Sequence, residues 1–217
     1  MQITHLGHAA VLVETSRARI LIDPGNLSER WHGVTDLDAV LVTHLHPDHL
    51  DPQQVPALLA ANPGVPIYAE ASIPDALAAA DVDLGSMHRV SAGDDFLVGD
   101  VVITAMGGVH AEIHRDIPRI GNVGYVLRAE GEPSLFHPGD SYAAFEPGVD
   151  ILAVPAYGPW AALKETIDFV RAVGALEGFS IHDELLSERG RGLVSSRINE
   201  MTGTRLVDLS SGTTHRF

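Results

Sequence analysis

Short apolar runs, each ended by glycine, proline or an acid, recur along the first part of the chain. Residues 3–14 hold two of them, broken at Gly7-His8, and Ala18-Arg19-Ile20-Leu21-Ile22 closes at Asp23-Pro24-Gly25. Runs of this length with turn residues between them predict a strand meander. A polar loop over 26–36, containing Trp31, leads to Ala39-Val40-Leu41-Val42, a run that reads as a buried strand and stops at Thr43. The pattern then lengthens its period. Residues 51–63 predict a helix with Asp51 as N-cap, Pro52 at its first position and a stop at Asn62-Pro63.

The second part repeats the theme. A strand over 65–69 and a short capped helix over 72–80 are followed by strands over 87–90, 95–98, 101–106, 121–128, 134–137 and 149–155. Residues 162–173 place Ile167, Val170 and Val173 on one helical face. A short strand from 178 ends at His182, and a helix over about 185–201 is weakened near its start by Gly190 and Gly192. A β run over 205–209 and a polar tail close the chain. Two runs of strands, each followed by helices, predict an α/β fold: a four-layer αββα sandwich of two facing mixed sheets with helices outside. The expected organisation is one domain over 1–217, with no internal repeat, low-complexity segment or linker.

The polar residues that end the strands carry the candidate chemistry. Between His44 and Asp51 fall three histidines and two carboxylates, in the string Thr43-His44-Leu45-His46-Pro47-Asp48-His49-Leu50-Asp51. His44 and His46 alternate, so an extended segment turns both imidazoles to one point, while Pro47 re-aims the chain before Asp48 and His49. A single histidine among apolar residues is most often a hydrogen-bonded core group. A cluster is different, because burying several imidazoles and a carboxylate together strands their polar atoms unless a divalent ion takes up the lone pairs. The same arrangement of apolar run and ligand-type residue returns at His110, at His137-Pro138-Gly139-Asp140-Ser141 and at His182. These strand ends lie far apart in the chain and meet only if they share one edge of the fold.

Thr43-His44-Leu45-His46-Pro47-Asp48-His49 resembles the His-x-His-x-Asp-His signature of the metallo-β-lactamase fold hydrolases, and the later blocks occur in the order that family expects. The resemblance implies that His44, His46 and His110 hold one metal ion, that Asp48, His49 and His182 hold another, and that Asp140 bridges them. It implies a water shared between two ions about 3.5–4 Å apart, its pKa lowered from near 16 towards 7, with Asp48 moving protons beside it. Asp23, at a strand end, is expected to support the metal loop from behind. His5, His8, His114 and His137 adjoin strand ends and are candidates to orient a ligand or meet substrate, and Trp160 is a candidate pocket wall. His32, His88 and His215 read as surface residues. Arg115, Arg119 and Lys164 are candidates to meet a phosphate.

Composition narrows the class. With 45% apolar and 20% charged residues and a mean hydropathy of +0.11, the chain is ordinary globular material. There is no cysteine, so any metal is held by nitrogen and oxygen, which suits Zn, with Mn or Fe as alternatives. A formal charge of −15 opposes binding to nucleic acid or anionic membranes, whereas two divalent ions would make one pocket locally positive for an anionic small molecule. No basic leader or long apolar stretch is seen, so cytoplasmic residence is expected, with a homo-oligomer as the expected assembly. Short length and the His137–Ser141 block look most like the lactonase-type, UlaG-like branch. The expected activity is metal-dependent hydrolysis of a small ester, lactone or phosphodiester. Glyoxalase-type thioester hydrolysis and a metal-stabilised scaffold without turnover are the alternatives.

Overall fold

The computed structural model describes residues 1–144 and 146–217. The first sheet contains β1 (Gln2–His5), β2 (Val11–Glu14), β3 (Arg19–Ile22), β4 (Ala39–Val42), β5 (Ile67–Glu70) and β6 (Met87–Val90), with the C-terminal β14 (His215–Arg216) added beside β1. The second contains β7 (Asp95–Val98), β8 (Val101–Gly107), β9 (Val123–Arg128), β10 (Leu135–His137), β11 (Ile151–Pro155), β12 (Glu177–Ile181) and β13 (Arg205–Leu206). Each sheet is mixed. The β1–β2–β3 and β7–β8–β9–β10 neighbours are antiparallel, and those from β3 to β6 and from β10 to β13 are parallel.

Period-2 alternation explains how the two sheets stack. Ile20 and Ile22 of β3 and Leu41 of β4 face the second sheet, where they pack with Ile103, Tyr125, Leu127, Ala153, Phe179 and Ile181. Leu21, Val40 and Val42 point the other way. They pack against α1 (Val55–Ala61) and α2 (Ile73–Ala79) through Val55, Leu58, Ile73 and Leu77. Val126, Phe136, Leu152 and Val154 likewise meet α3 (Leu163–Val173) and α4 (Glu188–Met201) through Phe169, Val170, Val194 and Ile198. The layers are therefore helix, sheet, sheet, helix, as the pattern predicts. Strands covered on both faces must be apolar at every position, which is why β4 and β11 read as unbroken runs. Each fully buried Ile, Leu or Phe here contributes about 1.5–3 kcal/mol of transfer free energy.

Several element ends differ from expectation, most by one or two residues, as where β9 starts at Val123 and β11 at Ile151; three differ by more. α1 starts at Val55, with Gln54 as N-cap and no side-chain cap bond; the Asp51 carboxylate accepts from the Gln53 N–H, as a cap does, but over a turn at residues 52–54 that precedes the helix. α4 starts at Glu188 behind Ser187, whose side chain accepts from the Gly190 N–H. The run over 205–209 pairs only at Arg205–Leu206, while the polar tail forms β14, the edge strand beside β1. Among the described residues no helix is long and apolar enough to cross a membrane.

Candidate metal centre

The strand ends meet along one edge. His44, His46, His110 and Asp140 place one potential ligand atom each within 4.8 Å of one another, and His8, Asp48, His49 and His182 do the same beside them. Asp140 faces both groups: its Oδ1 is 3.1 Å from His49 Nε2, and its Oδ2 lies 3.1 Å from His182 Nε2 and 3.4 Å from His110 Nε2. All but His46 and Asp48 are buried.

Local structure holds these groups in place. Beyond β4, the His49 and Leu50 N–H groups both donate to the His46 carbonyl, and the Asn26 and Asp51 N–H groups tie this loop to the segment after β3. The two loops touch at Gly25, where a Cβ would lie 1.8 Å from the Asp48 carbonyl oxygen. Glycine is required there by contact rather than by dihedral. Asp140 is fixed by Asn122, whose Oδ1 accepts from the Asp140 N–H at 2.9 Å and whose Nδ2 donates to the Pro138 carbonyl. Gly139, with φ +61, turns the chain into this position against Asn122 and Thr43. His8, Asp23 and His182 adopt left-handed backbone with φ +52, +50 and +56. Such residues cost on the order of 1 kcal/mol or more each, and they concentrate where side-chain aim matters. The His182 N–H donates to the His8 carbonyl, locking two of them together.

Hydrogen bonds also set the tautomers. Asp23 Oδ1 accepts from the Thr43 N–H at 2.8 Å, and its Oδ2 accepts both the Thr43 hydroxyl and His49 Nδ1–H at 2.7 Å. Since the only hydroxyl proton of Thr43 goes to Asp23, Thr43 Oγ1 accepts from His44 Nδ1–H at 3.0 Å. His110 Nδ1–H donates to the Ala111 carbonyl. In all three rings Nδ1 carries the proton, so the neutral form has its lone pair on Nε2. The Nε2 atoms of His44, His49, His110 and His182 and the Oδ1 of Asp140 are buried without a hydrogen-bond partner. A convergent set of buried nitrogen and oxygen donors with free lone pairs is what a divalent cation requires, and sulfur is absent from it.

The electrostatics separate the two groups. Burial lowers the pKa of His44 and His46, keeping both neutral. Burial acts in the same direction on His49 and His182, but the carboxylates around them prevail: Asp140 and Asp23 raise His49 well above its usual value, and Asp140 and Asp48 push His182 up to about 9. Asp48 is opposed by burial yet held far below the usual carboxylate range by His182 and His8.

The other sequence candidates are now placed. Asp23 sits behind His49 and Thr43, as described. His8 is nearer the centre than a flanking role requires, with Nε2 at 3.0 Å from Asp48 Oδ2. Trp160 donates from Nε1 to Asp140 Oδ2 at 2.9 Å. His137 is buried, but its Nε2–H donates to the Ala9 carbonyl, so it clips the two sheets together rather than entering the centre. His5 donates to the His8 carbonyl. His114 is exposed and lies beside Asp116, outside both groups. Arg119 donates twice to the His110 carbonyl. Thr43 and Asn122 went unread, since nothing in a lone Thr or a Gly-Asn-Val-Gly string marks a side chain as a positioning group.

A sandwich with paired His/Asp groups at its edge defines a metal-dependent class, and comparison with known proteins identifies it. Residues 2–176 match the family described as the Beta-lactamase superfamily domain. The chain belongs to that superfamily. It is 40% identical over 208 residues to Protein Rv0786c of Mycobacterium tuberculosis, covering 94% of each chain. It is 32% identical over 153 residues to a UPF0173 metal-dependent hydrolase of Rhizobium johnstonii, covering 65% of this chain and 63% of the other. The fold is similar to that of the metallo-β-lactamase fold protein YhfI of Bacillus subtilis, with a TM-score of 0.77 over all of this chain and 99% of YhfI at 14% identity.

Proposed function

We propose that the protein is a dinuclear metal-dependent hydrolase that cleaves a small ester, lactone or phosphodiester, and that it belongs to the lactonase-type, UlaG-like branch. His44, His46 and His110 would hold one divalent ion, Asp48, His49 and His182 the other, and Asp140 would serve both. Zn is the metal we expect, with Mn or Fe as alternatives. The observation that carries the reading is the set of four buried, unpartnered imidazole Nε2 atoms converging on the Asp140 carboxylate, His49 at its unpartnered Oδ1 and the other three at its Oδ2. When bound, a pair of divalent ions supplies Lewis acidity to the electrophile and makes water a competent nucleophile near neutral pH.

The chain's own groups do the rest. Asp23 and Thr43 keep the Nε2 atoms of His49 and His44 aimed inward, and the Ala111 carbonyl does the same for His110. Asp48 is the one carboxylate of the two groups that is partly open, at 24% side-chain exposure, so it can accept a proton from the nucleophile and pass it to the leaving group. His8 orients that carboxylate through the Asp48 Oδ2 contact. The relative that is described as a metal-dependent hydrolase supports the activity class.

The test is a screen of Zn-reconstituted protein against lactones, phosphodiesters and thioesters, with Asp48→Ala in parallel. Turnover on the first two classes that falls about 10²–10⁴-fold in Asp48→Ala, with metal retained at the His44 group, supports the reading. Undiminished turnover in the variant sinks the role of Asp48, and thioester turnover alone moves the protein to the glyoxalase type.

A further inference from the structure

Beside the centre lies a cleft of about 520 Å³ with a distinct chemistry. Ala111 and Ser141, which follow His110 and Asp140 in the chain, line it, and so does Trp160, which bonds Asp140 directly. The Trp160 ring stands 6.1 Å from that of His110 and 6.0 Å from that of His182. The cleft and both ligand groups therefore share one wall.

That wall is aromatic. Tyr142 meets Trp160 edge-on at 5.0 Å and stacks on Phe169 at 4.7 Å. The Tyr142 hydroxyl is already bound to the Pro155 carbonyl and to Thr166, so what Tyr142 offers is its ring. The charges at the rim have one sign. Glu112, Glu165 and Asp168 line the cleft, and among the described residues no Lys or Arg does. Glu165 also accepts from the Ala162 N–H, and Asp168 has Arg171 at 3.8 Å in an exposed pair of the kind that neutralises little, so Glu112 and Asp168 set the local sign.

We propose that this cleft holds the non-reacting part of the substrate, and that it selects an apolar, preferably aromatic, group carrying positive charge over one carrying negative charge. Aromatic faces and carboxylates both favour a cation, and neither can pair an anion. Any anionic character of the substrate then belongs at the scissile group, over the metals, and not in this tail. The proposal rests on the hydrolytic reading of the adjacent centre, because only a substrate cut there needs its tail here.

The test uses three probes that share a benzene ring: benzyltrimethylammonium, benzyl alcohol and benzenesulfonate. Each is titrated calorimetrically into Zn-reconstituted protein of measured metal content, and into the Glu112→Gln/Asp168→Asn double variant, with tryptophan emission followed in wild type and Trp160→Phe. We expect the ammonium probe to bind roughly tenfold more tightly than the sulfonate, with the alcohol between. It should quench emission in wild type but not in Trp160→Phe, and the preference should shrink to within about twofold in the double variant. Benzenesulfonate that displaces the ammonium probe and binds with equal or higher affinity, a preference unchanged in the double variant, or an ammonium probe that neither binds nor quenches overturns the proposal. None of these readings needs turnover, so a protein that cleaves nothing still tests the cleft, while an active hydrolase with the opposite charge order refutes the cleft alone.

Discussion

The two ligand groups are neighbours built on opposite electrostatic plans. Around His44, His46 and His110 the anchors are a hydroxyl, a backbone carbonyl and burial, so the two rings nearest the loop are kept neutral with a lone pair ready. Around His49 and His182 the anchors are carboxylates, Asp23, Asp48 and Asp140, which hold both rings protonated in the metal-free protein. A cation entering the first group meets free lone pairs, whereas one entering the second must first expel protons. The pair of sites should thus be unequal in affinity and unequal in pH dependence.

The largest effect should come from removing the residue that both groups share. Asp140→Ala should weaken metal binding at both sites by roughly a thousandfold, seen as loss of both equivalents after gel filtration. Loss of one equivalent only would show that Asp140 belongs to a single group. Asp23→Asn acts directly on one group, through His49, and on the other only through Thr43: it should weaken the second equivalent about 10–100-fold and the first by clearly less, measured by competition with a chromophoric chelator.

Acidity sharpens the contrast without mutation. His182 sits at about 9 in the metal-free protein against 6.5 as its ordinary value, so its proton stabilises the fold fully below pH 6.5, and that contribution is lost as pH rises through 9. Metal-free protein should therefore lose thermal stability between pH 6.5 and 9, while the second equivalent of metal, displacing one proton each from His49 and His182, should bind roughly a hundredfold more tightly per pH unit over the same range. Calorimetric melting and metal titration at pH 6, 7.5 and 9 check both. A metal-free melting temperature that rises over this window would contradict the assignment of charge. The smallest effect is expected at His114, exposed and outside both groups: His114→Ala should change turnover by less than about twofold.

Much of this arrangement was legible in the residues. An apolar run that stops at Thr43 or Met106 and yields to histidine marks a strand end, and strand ends gathered on one edge bring distant histidines together; four layers follow from strands apolar on both faces. What stayed unreadable depends on contacts between loops. His8 follows a broken apolar run, and only its left-handed backbone and its bond to Asp48 carry it into the centre. His137 has the same sequence surroundings as a ligand, yet its ring turns to the Ala9 carbonyl across the sandwich. Asp51 has the residue type and the Gln53 N–H bond of a helix cap, yet α1 starts only at Val55, after a turn that follows the tie of the Asp51 N–H to the Pro24 carbonyl, and that loop-to-loop contact has no signature in the local string. Trp160 was visible as an aromatic in a loop, but its bond to Asp140 is a product of folding.

The proposed hydrolysis depends on two divalent ions bound side by side on this edge. Elemental analysis of protein reconstituted with Zn at pH 8 and freed of loose metal should find two equivalents per chain; one equivalent or fewer rules out the paired site.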